Sequence, residues 1–92
     1  MNKSDLVDKV SAAVPGLKKR DVDAVISATL EAIAEAVAKG DKVTLVGFGS
    51  FEPRHRKARE GRNPKTGETL IIPAAKIPAF SAGKGFKDRL SA

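Results

Sequence analysis

The sequence predicts an α+β fold: a helical hairpin, a three-stranded antiparallel sheet with a protruding two-stranded β-arm, and a short C-terminal helix. Three observations predict it. Apolar residues recur every three or four positions through residues 1–40, and from Lys42 the period changes to two. Between two strand-like blocks, residues 53–69 then hold a single non-proline apolar side chain, Ala58, against six Lys or Arg. Such a stretch has nothing with which to bury itself.

Leu6, Val7, Val10 and Val14 mark a first helix behind Asn2 and Ser4, either of which can cap it, and Pro15-Gly16 ends it. Val22, Val25, Ile26, Thr29, Leu30, Ile33 and Val37 form the stripe of a longer second helix, closed by Gly40. A helix-turn-helix reader needs basic or amide groups on its recognition helix, and the outer face here offers Asp23, Glu31 and Glu35. Val43, Leu45, Phe48 and Phe51 around Gly47 and Gly49 read as strand, tight turn and strand, with both phenylalanines facing inward. Ile77, Ala79 and Phe80 read as the returning strand. Ser81 is positioned to cap a last helix containing Phe86 and Leu90, in which Gly85 costs roughly 1 kcal/mol relative to Ala.

Ninety-two residues predict a single domain over 1–92, with a helical part at 1–40 and a sheet, arm and last helix at 41–92. A cofactor domain has no room. With no cysteine there is neither a disulfide framework nor a thiolate zinc site, so a core this small is expected to be completed by oligomerisation. No apolar run approaches a membrane span and no secretory pattern opens at Met1-Asn2-Lys3-Ser4, so a soluble, intracellular chain is expected. The net charge is +6 and unevenly placed: residues 1–46 carry seven cations and seven anions, residues 47–92 ten against four. A basic excess confined to one half is the footprint of a polyanion partner.

Within that half, Asn63-Pro64 followed by Gly67 is a turn signal. The simplest geometry for the arm, about residues 53–76, is a two-stranded ribbon with Pro64 and Lys65 at its tip. Pro53 and Pro73 each remove a ladder donor, which free edges tolerate. Arg56, Arg59, Arg62 and Lys65 recur every third residue, so strict alternation sets them on both faces of the ribbon.

Gly47-Phe48-Gly49-Ser50-Phe51, Arg56, Arg59, Gly61-Arg62-Asn63-Pro64, Thr66-Gly67, Ile77-Pro78-Ala79-Phe80 and Ala82-Gly83-Lys84 resemble the bacterial histone-like HU family (HU/IHF) over essentially the whole chain. The cyanobacterial and plastid type is the nearest in pattern. The resemblance implies an intertwined dimer, a homodimer here, in which the helices interlock under a saddle of strands and two arms curl around duplex DNA in its minor groove. It implies a wedge at Pro64, arm contacts from Arg56, Arg59, Arg62 and Asn63, phosphate contacts from Lys84 and Lys87, and a flanking contact from Lys3. Arg54, Lys57, Lys65 and Lys76 complete the expected DNA-binding set. Val25, Thr29, Leu30, Ile33, Leu45, Phe48, Phe51 and Phe80 are the expected dimer core.

The expected function is a nucleoid architectural protein that bends, wraps and stabilises double-stranded DNA with little sequence preference, favouring bent, nicked or flexible duplexes. Cytoplasmic nucleoid association is expected, or a plastid in a photosynthetic eukaryote. The charge footprint alone also admits an RNA-binding or ribosome-associated protein, and a more sequence-specific IHF-like bender differs in degree. Enzyme readings lack parts: Glu60 and Glu68 lie on the exposed arm, Ser50 and Ser81 have no nearby His, and no P-loop occurs. No metal, cofactor, small-molecule substrate or membrane partner is expected, since His55 stands without a second ligand. Against the family pattern, the turn at Val14–Lys18 lacks a Ser or Thr cap and holds an extra residue, Gly85 replaces a better helix former, and Pro53 enters the arm early.

Overall fold

The computed structural model describes residues 1–91; Ala92, the last residue of the expected domain, lies outside them. The chain forms two compact units, Met1–Glu35 and Ala36–Ala92.

Helix α1 (Lys3–Ala13) starts at Asn2 rather than Ser4, because Asn2 and Asp5 form a reciprocal capping box. The Asp5 N–H donates to Asn2 Oδ1 at 3.0 Å and the Asn2 N–H to Asp5 Oδ2 at 3.1 Å. Helix α2 (Lys19–Ala38) follows the turn at Pro15-Gly16, and the N–H groups of Asp21 and Val22 both donate to the Lys18 carbonyl. Its end is satisfied by paired reversed bonds, Asp41 N–H to Ala36 O (2.9 Å) and Gly40 N–H to Val37 O (3.0 Å). In the first unit, Lys19 pairs with Asp8 at 3.0 Å and Lys3 with Asp23 at 3.5 Å, tying α1 to α2. Exposed pairs of this kind add under about 1 kcal/mol each, so they orient rather than hold.

The apolar periodicity forms helices without forming a core. Among the described residues, Val7 and Val22 alone are buried apolar side chains. Val25 in the α2 stripe remains 61% exposed and Leu30 54%. Thr29, in the same stripe, turns its hydroxyl back to donate to the Val25 carbonyl at 2.7 Å.

In the second unit, β1 (Val43–Leu45), β2 (Gly49–Arg56) and β5 (Ala75–Ala82) form an antiparallel sheet in the order β1-β2-β5. The register sets Phe51 opposite Phe80 on one face, while Thr44, Ser50 and Ser81 line the other. Strands β3 (Arg59–Arg62) and β4 (Thr69–Ile72) form a separate two-stranded sheet. The arm is the two-stranded hairpin expected, but its pairing is interrupted: no ladder spans residues 57–58 and 73–74. Pro73 falls in this gap, where its missing donor leaves no rung unfilled. Pro53 lies directly opposite Pro78. Neither can donate, so the pair sits where an antiparallel ladder makes no cross-strand bond.

The four phenylalanines cluster, with ring centroids 5.5 Å apart for Phe48–Phe80, 5.0 Å for Phe48–Phe86 and 4.9 Å for Phe51–Phe80. Each such pair adds about 0.5–1.5 kcal/mol beyond area burial. The cluster is open, however: Phe48 is still 45% exposed and Phe80 42%.

The last helix differs from expectation. Helix α3 (Lys84–Asp88) has Gly83 as its N-cap, with no side-chain cap bond, and Leu90 lies beyond it. Ser81 is occupied as a residue of β5, and the Gly83 N–H instead donates to the Phe48 carbonyl at 2.8 Å. Gly85 has a reason the sequence concealed: a Cβ there would lie 2.7 Å from the Gly47 carbonyl oxygen. The helix docks this closely on the β1–β2 turn only without a side chain. Helix propensity alone makes Gly85→Ala stabilising by about 1 kcal/mol. The contact reverses the sign, and we expect Gly85→Ala to destabilise by about 1–3 kcal/mol, read as a lower midpoint of chemical unfolding at fixed protein concentration.

Candidate nucleic-acid interface

Opposed residues in an antiparallel pair share a face and successive residues alternate, so the register assigns each cation a side. At the arm's base, Arg54 and Arg56 lie on the face of Glu52, while His55 and Lys76 oppose each other on the other. In the outer ladder, Arg59 pairs with Ile72 on one face, and Arg62 with Thr69 on the other. The spacing of three thus distributes the arginines over both faces, as the alternation predicts. Lys57 sits in the gap between the ladders. There His55, Arg56, Lys57, Ala74, Ala75 and Lys76 line an open cleft of about 300 Å³. Four cationic or ionisable groups around two alanines make a concavity suited to an anion.

Arg54 is aimed differently from its neighbours. Its Nη2 donates to Ser81 Oγ at 3.2 Å and lies 4.0 Å from Glu52 Oε1, so the side chain turns back along the sheet rather than out along the arm. The other carboxylate oxygen of Glu52 lies 3.9 Å from Lys42 Nζ.

The tip is closed by its own bonds. The Asn63 N–H donates to the Glu68 carbonyl and the Gly67 N–H to the Asn63 carbonyl, each at 2.8 Å. Asn63 Oδ1 accepts the Lys65 N–H at 2.9 Å, and Thr66 Oγ1 accepts the Glu68 N–H at 3.3 Å. Gly67 takes φ +73°, a conformation that strains any L side chain. Pro64 and Lys65 occupy the turn this network encloses. Pro64 needs no partner for the N–H it lacks, and its ring presents an apolar edge at the end of a cationic arm.

The remaining expected contacts stand elsewhere. Lys84 is on α3 in an i,i+4 pair with Asp88 at 3.1 Å, its side chain 90% exposed; Lys87 is in the last turn of the same helix. Lys3 belongs to the first unit, bonded to Asp23 and Ser27. The sequence reading passed over Glu52 and gave Ser81 a capping role instead, because the part each plays depends on cross-strand register. It also passed over Leu70 and Ile71, exposed on β4, although the run Leu70-Ile71-Ile72 is itself a strand signal.

The bacterial DNA-binding protein family matches residues 1–91. DNA-binding protein HU of a Nostoc species is 62% identical over 91 residues, covering 99% of this chain and 96% of that one. DNA-binding protein HU of a Synechocystis species is 58% identical over 96 residues, with the same coverage. Among solved structures, an Anabaena HU–DNA cocrystal structure superposes with a TM-score of 0.92 at 60% identity, covering 99% of this chain and 98% of that one. HU from Thermotoga maritima superposes with a TM-score of 0.68 at 37% identity, covering 98% of each chain.

The bonding at the tip makes a local prediction. In Asn63→Ala, amide hydrogen exchange at Lys65 should accelerate while exchange in β2 and β5 stays unchanged. Unaltered exchange at Lys65 would show that the turn closes without the Asn63 side chain.

Proposed function

This chain belongs to the bacterial DNA-binding protein family, and on that premise we propose that it is a histone-like architectural protein of double-stranded DNA. It binds through the minor groove with little sequence specificity and bends, wraps and stabilises the duplex. The observation that carries the reading is the bonded tip, which holds a rigid donorless ring at the end of an arm with cations on both faces.

Each part has a physical role. Arg54, Arg56, Lys57, Arg59, Arg62, Lys65 and Lys76 supply cations for the phosphates and for a narrow minor groove, where the potential is most negative. Pro64 inserts between base pairs; the unstacking costs a few kcal/mol, which the added wrapped contact offsets. Asn63 holds the wedge in place. Lys84, Lys87 and Lys3 reach flanking phosphates, Lys84 and Lys3 exchanging their carboxylate partners for the backbone. The minor groove distinguishes mainly A·T from G·C, so this grip tolerates most sequences. No reaction is involved: the work is done by binding energy, and the role is non-enzymatic.

The second copy follows from uncovered apolar surface. Val25, Thr29, Leu30 and Ile33 of the first unit and Leu45, Phe48, Phe51 and Phe80 of the second are the core of a homodimer, in which residues 1–92 act as one domain. Val25 and Leu30 are more than half exposed, and a second copy covering them supplies the core that a chain of this size lacks. Such a protein works on the nucleoid, in a bacterial cytoplasm or a plastid.

Gel shifts with nicked duplex, intact duplex and RNA of equal length test the reading: affinity is expected to fall in that order, and RNA bound as tightly as DNA would overturn it. Sedimentation should give twice the 9.7 kDa of one chain. Pro64→Ala is expected to reduce the bend angle, measured by energy transfer, more than the affinity. Lys84→Ala should weaken binding to all sequences alike and lower the salt slope by about one unit.

A further inference from the structure

The arm carries an exposed apolar side chain on each face that electrostatics does not explain. Ile71 is 76% exposed and Leu70 47%, both on β4 in the outer ladder, away from the three-stranded sheet and its phenylalanine cluster. A two-stranded ribbon gains nothing by holding two large apolar side chains in water. Their surroundings define what covers them. On the face of Ile71, the cross-strand neighbour is Glu60 and the next rung is Arg62 with Thr69; on the face of Leu70, the neighbour is Gly61 and the next rung is Arg59 with Ile72. Each apolar side chain thus has an arginine two rungs along the ladder, on its own face. Residues 53–76 carry seven Lys or Arg against two Glu, so the partner is anionic. A surface that sets apolar patches beside anions at this spacing is the edge of a nucleic-acid strand, where deoxyribose C–H groups alternate with phosphates.

Resting on the function proposed above, we propose that β4 offers an apolar contact to the deoxyribose edges of duplex DNA on each face of the ribbon, Leu70 on one and Ile71, the principal side chain, on the other. Part of the arm's grip is therefore independent of salt. Phosphate contacts weaken as counterions accumulate, because binding releases them. Burial of Ile71 against sugar releases no ion, and it adds the same affinity at every ionic strength.

The test is the dissociation constant of the full-length protein for one intact duplex between about 50 and 200 mM salt. Ile71→Thr keeps the β-branch and the strand preference while reducing apolar area. The expected result is binding weaker by roughly tenfold with both arms affected, the line of log affinity against log salt displaced in parallel. Leu70→Thr should give a smaller parallel displacement, and Arg62→Ala a change of slope. An unchanged affinity in Ile71→Thr, or a loss confined to low salt, overturns the proposal. So does a concentration-dependent self-association of the free protein that Ile71→Thr abolishes while DNA affinity is unchanged, since the side chain then serves another copy. If the unmodified protein fails to bind the duplex, the function itself falls, separately from the variants.

Discussion

The constraint on which the rest depends is that one copy of this chain cannot bury its own apolar surface. Its helices form because apolar residues repeat at the helical period and because their ends are bonded, at Asn2–Asp5 and around Gly40. Its sheet forms because β2 has partners on both sides. Neither supplies a closed core, and burial of apolar area is the dominant favourable term in folding. In the proposed dimer, folding and association are coupled, and stability depends on protein concentration.

That division of labour frees the second half for electrostatics. With the phenylalanine cluster built from the strands at its base and from α3, the stretch 53–76 carries no core obligation and accumulates charge. Rigidity is kept where the duplex is to be deformed: four hydrogen bonds hold a six-residue turn around Pro64. A wedge that wandered would lose in entropy what it gained by insertion. The arginines are less confined, which suits groups that follow a potential rather than a shape.

The elements were legible because period and punctuation agree. The change of period at Lys42, Pro15-Gly16, Gly40 and Asn63-Pro64 each mark a boundary the structure keeps. Three features were not legible, for one reason: they depend on which residues meet across the fold. Ser81 looks like a helix cap locally, but its register opposite Ser50 commits it to β5. Gly85 looks like a defect until Gly47 is seen beneath it. Pro73 looks like a free-edge residue within a strand of the ribbon, whereas it lies in the break between its two ladders. Ile71 went unweighted because charge dominates its neighbourhood in sequence, and exposure is a property of the folded chain.

The gap at residues 57–58 and 73–74 also insulates one pairing from the other. Because strand side chains alternate, slipping one strand by a single position turns every residue along it to the opposite side. A continuous ribbon would pass such a slip from its far end into the phenylalanine layer. With two ladders, an insertion or deletion beyond the gap rearranges only the outer four rungs. The extremity is thereby free to vary in length and chemistry over evolutionary time, while the interior to which it is attached remains undisturbed.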